Sequence, residues 1–272
     1  MVHPTSIVDP AATLGGDVEI GPYCVIGPDV ELGDGVRLES HVVVQGRTKV
    51  GARTRIFPFA SIGHEPQDRK YAGEASSLEI GEDCVIREHV TINPGTAGGG
   101  MVTRVGARCL ILTGAHIAHD CQIGVGVTIV NQVLLGGHIV VGDYAVLGGG
   151  AAIHQFVRIG RHAMIGGLAG VEHDVIPFGL VLGNRARLQG LNLIGLKRHG
   201  FSREEIRLAQ DATAYLFGPG IVPLKSRAAQ AAGLFADGEA AMEIVRFAQD
   251  SSRRSLVQAE DGAFRDVAEP VD

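Results

Sequence analysis

The chain has 272 residues, 39 of them glycine and 45 % hydrophobic, with aromatic residues at only 5 % and no tryptophan. Glycine is therefore about twice the roughly 7 % of an average globular protein, yet it does not recur every third residue as collagen requires, and the apolar content is too high for disorder. Lys plus Arg number 24 against 30 Asp plus Glu, for a formal charge of -6, which makes nucleic acid a poor partner. No apolar run reaches the length of an integral membrane segment, and the start, MVHPTSIVDP, lacks a secretory signal, so the expected location is cytoplasmic.

Read at intervals of six from Val2, the chain gives Val8, Leu14, Ile20, Ile26, Leu32, Leu38, Val44, Val50, Ile56 and Ile62 without a break. The register returns at Ile80, Ile86 and Ile92, and again from Val105 through Ile111, Ile117, Ile123, Ile129, Leu135, Val141, Leu147, Ile153, Ile159, Ile165 and Val171. The next residue is often glycine, and the fifth of each hexad is small or β-branched. A helix needs apolar spacings of three and four, and an ordinary strand alternates by two. A period of six instead describes a chain that turns a corner after each short strand, with three strands completing a triangular coil of about 18 residues. The glycine is expected to permit the turn. The expected body is an all-β parallel β-helix of about nine coils, roughly 40 Å long at 4.8 Å per coil.

All four cysteines, Cys24, Cys84, Cys109 and Cys121, fall at the fifth position, which predicts buried packing residues rather than ligands or nucleophiles. Two stretches interrupt the register: the polar segment from His64 to Glu79, and the glycine-rich segment from Ala97 to Arg104. Insertions of this kind project from a solenoid and often line its binding face. After Pro177 the register fails. Ser202 with Glu205 is a capping box that starts a helix ended by Gly218-Pro219, and further helices are expected from Leu224 to Leu234 and from Glu239 to Val257. They would cover the open last coil, while the final residues fray. The expected domains are 1–185, the β-helix, and 186–272, a C-terminal α-helical domain.

Residues 18 apart within an unbroken stretch stack one above the other. His119 therefore lies below Gly137, which lies below Gln155, and Asp120 lies below His138. One face gathers His119, Asp120, His138, His154 and Gln155, with His116 close by. Zinc-binding hexapeptide prisms carry a His-x4-His pair, whereas His116 and His119 are three apart. The sequence thus favours no metal, and an imidazole acting as general base suits the cluster better.

The stretch Ala115-His116-Ile117-Ala118-His119-Asp120-Cys121, the turn Leu135-Gly136-Gly137-His138, Ile153-His154-Gln155-Phe156, Lys70-Tyr71-Ala72-Gly73-Glu74, and Gly195-Leu196-Lys197-Arg198-His199-Gly200-Phe201-Ser202-Arg203 together resemble the acyl-(acyl-carrier-protein)–UDP-N-acetylglucosamine O-acyltransferase family. The resemblance spans nearly the whole chain. It implies a left-handed β-helix, a homotrimer, and transfer of a 3-hydroxyacyl chain to the glucosamine 3-hydroxyl as the first step of lipid A biosynthesis. It also implies His119 as general base, Asp120 orienting it, and Gly137 offering its N–H to the oxyanion. Asp68, Lys70, His116, His138, His154, Gln155, Asn192 and Arg198 are implied as substrate contacts, and Gly167 as the floor that limits acyl length. No bound cofactor is implied. The donor carries phosphopantetheine on acyl carrier protein, an acidic partner for Lys197, Arg198, Arg203 and Arg207. In one departure, Asn93-Pro94 stands where the family pattern has His-Arg, and the following loop is shorter, which bears on whether the acceptor presents a 3-hydroxyl or a 3-amino group.

An amide-forming relative of the same pathway would carry a globular domain before the first coil, where hexads here begin at Val2. Short-chain transferases using coenzyme A would lack the Lys197 to Arg203 segment. A non-enzymatic scaffold would leave the clustered histidines without work.

Overall fold

A computed structural model describes residues 1–219, 222–250, 252–260 and 264. Residues 1–175 wind into a left-handed parallel β-helix whose short strands, most of two residues, build three sheets of nine, eight and eight strands, the last brought to ten by the strands Gly179–Leu182 and Arg187–Leu191. The register confirms the 18-residue coil: Ile7 pairs with Val25, Thr13 with Glu31 and His116 with Leu134. The aliphatic first residue of each hexad points inward, so Ile56, Ile62, Ile86, Ile111 and Ile129 are fully buried. The four cysteines are free and buried beside them, as small interior residues should be.

Both interruptions leave the stacking intact. Ser61 pairs with Thr91 and Lys49 with Glu79, 30 residues on, so the first insertion adds twelve residues to a single coil. Thr91 pairs with His116, 25 residues on, so the second adds seven. Both are shorter than the sequence suggested, because strands already begin at Ser77 and Val102.

The role expected of the repeat glycines is corrected. The corners that need the left-handed conformation are held mostly by other residues, Tyr23, His41, Phe59, Asp120, His138 and His162 among them. The repeat glycines lie just before these corners and, apart from Gly63 (φ +81°), have ordinary φ. What excludes a side chain there is the next coil: a Cβ on Gly81 would sit 2.5 Å from the Ala107 nitrogen, and one on Gly106 2.5 Å from the Gly124 oxygen. Glycine at these positions lets backbone pass backbone at strand spacing.

The top of the prism is closed by an antiparallel hairpin, Gly179–Leu182 with Arg187–Leu191, which extends the ten-stranded sheet. Residue 185 lies in its turn. Four helices follow among the described residues: α1 (Leu193–Arg198), which the sequence did not suggest, α2 (Arg203–Phe217), α3 (Leu224–Leu234) and α4 (Glu239–Gln249). The capping box is formed, with the Glu205 N–H donating to Ser202 Oγ and the Ser202 N–H to the Glu205 carboxylate. The last helix ends at Gln249 rather than Val257. The chain beyond it pairs with the prism instead: the Asp174 N–H donates to the Ser255 carbonyl at 2.9 Å, and the Val257 N–H to the Asp174 carbonyl at 2.8 Å. The chain is pinned as far as Glu260 by its N–H on the Leu188 carbonyl; the final residues, of which fraying was expected, lie outside the described residues at 261–263 and 265–272.

Candidate active site

His119 and Asp120 occupy the corner that follows the strand His116–Ile117. Asp120 has φ +60° and a completely buried carboxylate. Its Oδ1 accepts the Thr96 N–H at 2.9 Å, and its Oδ2 accepts the Thr96 hydroxyl at 2.6 Å and faces His119 Nδ1 at 2.8 Å. Its own N–H donates to Thr103 Oγ1 at 2.8 Å. A carboxylate only accepts, so the proton of the histidine bond sits on Nδ1. Nε2 is left with its lone pair, the form a general base requires. Charge-assisted bonds of this kind are short and strong, and they hold a buried anion that would otherwise be very costly.

Gly137 lies directly over the ring, since a Cβ there would fall 2.5 Å from His119 Cε1 and 2.6 Å from Nε2. The corner beneath is tied to it by the His138 N–H donating to the His119 carbonyl at 3.0 Å. The His138 ring stands edge-on to His119, centroids 5.0 Å apart, and stacks on Phe156 at 4.4 Å. Burial pushes the His138 imidazole below its ordinary value, outweighing Asp120, and the neighbouring His119 and Arg253 act in the same direction. His116, with Nδ1 2.7 Å from Thr91 Oγ1, is pushed down by burial and then by His119. Both are poised to stay neutral.

The two insertions fold over this corner. Asp68 reaches to 4.0 Å from His119 Nε2. Glu74 joins the insertions, its carboxylate accepting the Ala72 N–H of the first and the Ala97 N–H of the second, both at 2.8 Å; these bonds hold the Glu74 carboxyl below its usual range. Gly99, in a run for which the sequence offered no role, is required by close approach: a Cβ would lie 2.0 Å from Asp120 Cγ. Asn93 is buried, and its Nδ2 donates to the His64 and Glu65 carbonyls at 3.0 and 3.2 Å, anchoring the first insertion at its root. Thr96, Thr103 and Glu74 were missed because nothing in the hexad register marks insertion residues. The return of the register after Ala97–Arg104 was the one available signal that this segment closes back on a coil.

His119, Asp120 and His138 present three ligand atoms within 4.8 Å of one another. The Asp120 oxygens, however, are already engaged by Thr96 and the imidazole, and the carboxylate itself has no exposure, so the donor set fits an acid–imidazole dyad better than a metal centre. A cavity of about 530 Å³ lined by Leu216, Phe217, Leu224 and Arg227 lies among the helices, away from His119.

The remaining candidates are spread around the prism. His154 and Gln155 lie exposed one coil above Gly136 and Gly137. Lys70 is exposed beside Asp68, its N–H on Asp68 Oδ1 at 3.0 Å. Asn192 caps α1, accepting the Gly195 N–H, and donates to the His162 carbonyl at 3.0 Å. It thus belongs, with exposed Arg198, to the corner of Tyr144 and His162 and not to that of His119. Gly167 lies at the third corner beside Leu168, which is 79 % exposed; a Cβ on Gly167 meets only the Gly149 oxygen, at 3.4 Å.

Comparison with known proteins identifies the family of the chain. A family model described as UDP N-acetylglucosamine O-acyltransferase, domain 2, matches residues 174–257, and one described as bacterial transferase hexapeptide (six repeats) matches residues 11–46. Acyl-(acyl-carrier-protein)–UDP-N-acetylglucosamine O-acyltransferase of Rhizobium johnstonii is 45 % identical over 256 residues, 94 % of this chain and 93 % of its own. The Azorhizobium caulinodans protein of the same name is 50 % identical over 80 % of each chain. Among solved structures, UDP-N-acetylglucosamine acyltransferase of Francisella novicida superposes with a TM-score of 0.92 at 35 % identity, over 97 % of this chain and 95 % of its own.

Proposed function

Because the chain belongs to the acyl-(acyl-carrier-protein)–UDP-N-acetylglucosamine O-acyltransferase family, and is an O-acyltransferase, we propose that its corner at His119 catalyses direct transfer of a 3-hydroxyacyl chain from acyl carrier protein to the 3-hydroxyl of UDP-N-acetylglucosamine. This is the opening reaction of lipid A biosynthesis. The observation that carries the mechanism is the His119–Asp120 pair, whose geometry leaves Nε2 as a proton acceptor directly beneath Gly137. His119 Nε2 takes the proton as the sugar oxygen attacks the thioester carbonyl. The Gly137 N–H donates to the developing oxyanion. The thiolate of the phosphopantetheine arm then leaves, taking up the proton from the imidazolium, so no enzyme-bound acyl group or cofactor is needed.

Asp68, Lys70, His116, His138, His154 and Gln155 form the contacts to the acceptor and donor on this side. Asn192 and Arg198 lie on another corner, and in this reading a second copy of the chain supplies them to a cleft between prisms; the working form is a homotrimer, as the family resemblance implies, and its location is the cytoplasm. Leu134, exposed by 51 % on an uncharged face, is the kind of residue such packing covers. Gly167 sets the acyl length. No helix among the described residues is long and apolar enough to cross a membrane.

The test is mass spectrometry of products formed from UDP-N-acetylglucosamine, or its 3-amino counterpart, with a ladder of 3-hydroxyacyl carrier proteins. An ester product with one preferred chain length is expected. An amide product alone would reassign the acceptor, and no transfer at all would overturn the proposal.

A further inference from the structure

The segment after α4 returns to the prism in a fixed register. Asp174 holds it, exchanging backbone hydrogen bonds with Ser255 and Val257, while Leu188 exchanges bonds with Gln258 and Glu260. The Asp174 carboxylate is itself completely buried and accepts the Arg158 N–H and Nε, each at 2.8 Å. Ser255 Oγ lies 3.0 Å from His173 Nδ1. A stretch so anchored places its side chains as accurately as a strand does.

Two arginines precede the anchor. Arg253 lays its guanidinium over Phe156, 4.5 Å from the centroid, on a ring that stacks on His138, which in turn meets His119 edge-on. Arg254 is half-buried. Its Nε donates to the Gln155 carbonyl at 3.2 Å, and its Nη2 lies 2.5 Å from His154 Nδ1. A guanidinium has donors only and does not give up its charge. His154 Nδ1 must therefore be the acceptor in that contact. The same nitrogen stands 3.2 Å from the Gln155 carbonyl, which could be satisfied only by an Nδ1–H. The two demands are incompatible, and the guanidinium, docked by its Nε on the Gln155 carbonyl, can face Nδ1 only as a donor, whereas that carbonyl is already satisfied by Arg254 Nε.

From this geometry we infer that Arg254 is a positioning residue that fixes His154 as the neutral Nε2–H tautomer and clamps the His154–Gln155 pair, so that the exposed edge of the ring presents a hydrogen-bond donor to the bound substrate. The inference rests, for its catalytic consequence, on the reading of His154 as a substrate contact; the tautomer itself does not. The chain therefore reaches its own site twice, once through the insertions and once through a segment about 100 residues downstream of His154, whose connection is legible only in three dimensions.

The experiment uses the full chain labelled with 15N-histidine, its His154 signals assigned by loss in His154→Gln. Long-range proton–nitrogen correlation at pH 8 is expected to show an unprotonated Nδ1 and a protonated Nε2 in the wild type, a mixture of tautomers in Arg254→Met, and recovery in Arg254→Lys. In the same variants kcat/KM for the sugar nucleotide is expected to fall about tenfold in Arg254→Met and to recover in part in Arg254→Lys, with the melting temperature and oligomeric state unchanged. A protonated Nδ1 in the wild type, a tautomer that Arg254→Met leaves in place, or an unaltered kcat/KM beside an altered tautomer overturns the inference. A wild-type protein that transfers no acyl group but shows the expected tautomers faults the transferase reading and upholds Arg254 as the residue that sets the ring.

Discussion

His119 and Gly137 are chemically ordinary residues made useful by one stacking step. The imidazole is outward-facing and the apolar interior of the prism does not depend on it, so His119→Ala is expected to lower kcat by about 10²- to 10⁴-fold, the usual worth of a general base, with the fold retained. Gly137→Ala tests the same contact from above. Its methyl falls within 2.6 Å of two ring atoms, so the imidazole must move and activity is expected to drop at least tenfold, roughly 1.4 kcal/mol of barrier, without loss of fold. Gly99→Ala drives a methyl into the Asp120 carboxylate and is expected to reduce turnover through the dyad. Wild-type rates in either glycine variant would refute the packing argument.

These residues differ in how far the sequence disclosed them. The 18-residue period was enough to put His119 under Gly137 and Asp120 under His138, because within an unbroken stretch stacking is arithmetic. Thr96, Gly99 and Glu74 sit in or beside insertions that obey no period, and Arg254 lies beyond four helices. Their proximity arises from where the chain returns, which no local pattern encodes.

At the level of elements, the joint between prism and helices is an aromatic stack. His162, 4 % exposed, lies between Tyr144, 5.1 Å away, and Phe178, 5.9 Å away, with His199 of the α1 terminus 4.3 Å off. Its Nδ1 is buried and unpaired. Burial first, then His199 and Arg161, push the imidazole down to about 4, against a small opposing effect of Asp143. Below pH 6.5 the unfolded chain therefore binds a proton that the folded one refuses. Stability is expected to be insensitive to this group above pH 6.5, to fall as the pH is lowered towards 4, and to lose at most about 3 kcal/mol over that window. His162→Phe keeps the stack and removes the proton site, so the acid side of a melting-temperature profile is expected to flatten. A profile identical to that of the wild type would show that the joint does not carry the acid sensitivity.

On the scale of the whole molecule, the separation of the His119 corner from the Asn192 and Arg198 corner is the central fact. In the proposed reading, a cleft shared between prisms brings the two corners to one substrate. Sedimentation is expected to give a particle of three 28.5 kDa chains, and Leu134→Glu, which puts a charge on an uncharged face, is expected to break it and abolish transfer together. A monomer with full activity would refute the shared cleft. Gly167→Met, whose Cβ would meet only the Gly149 oxygen, at 3.4 Å, is expected to leave assembly intact and shift donor preference to shorter chains.

The sequence by itself determined the prism: a period of six in aliphatic residues admits one way of burying them, and the fifth-position cysteines fall inside it for the same reason. It also fixed the pairing of catalytic corner with overlying glycine. Tertiary structure alone decided what the glycines are for, since only the distance to the next coil distinguishes close approach from turning. It decided, too, that the glycine-rich insertion closes on Asp120 and that the tail closes on His154. Those contacts join segments whose separation along the chain is set by loops of arbitrary length, and a period carries no information across a loop.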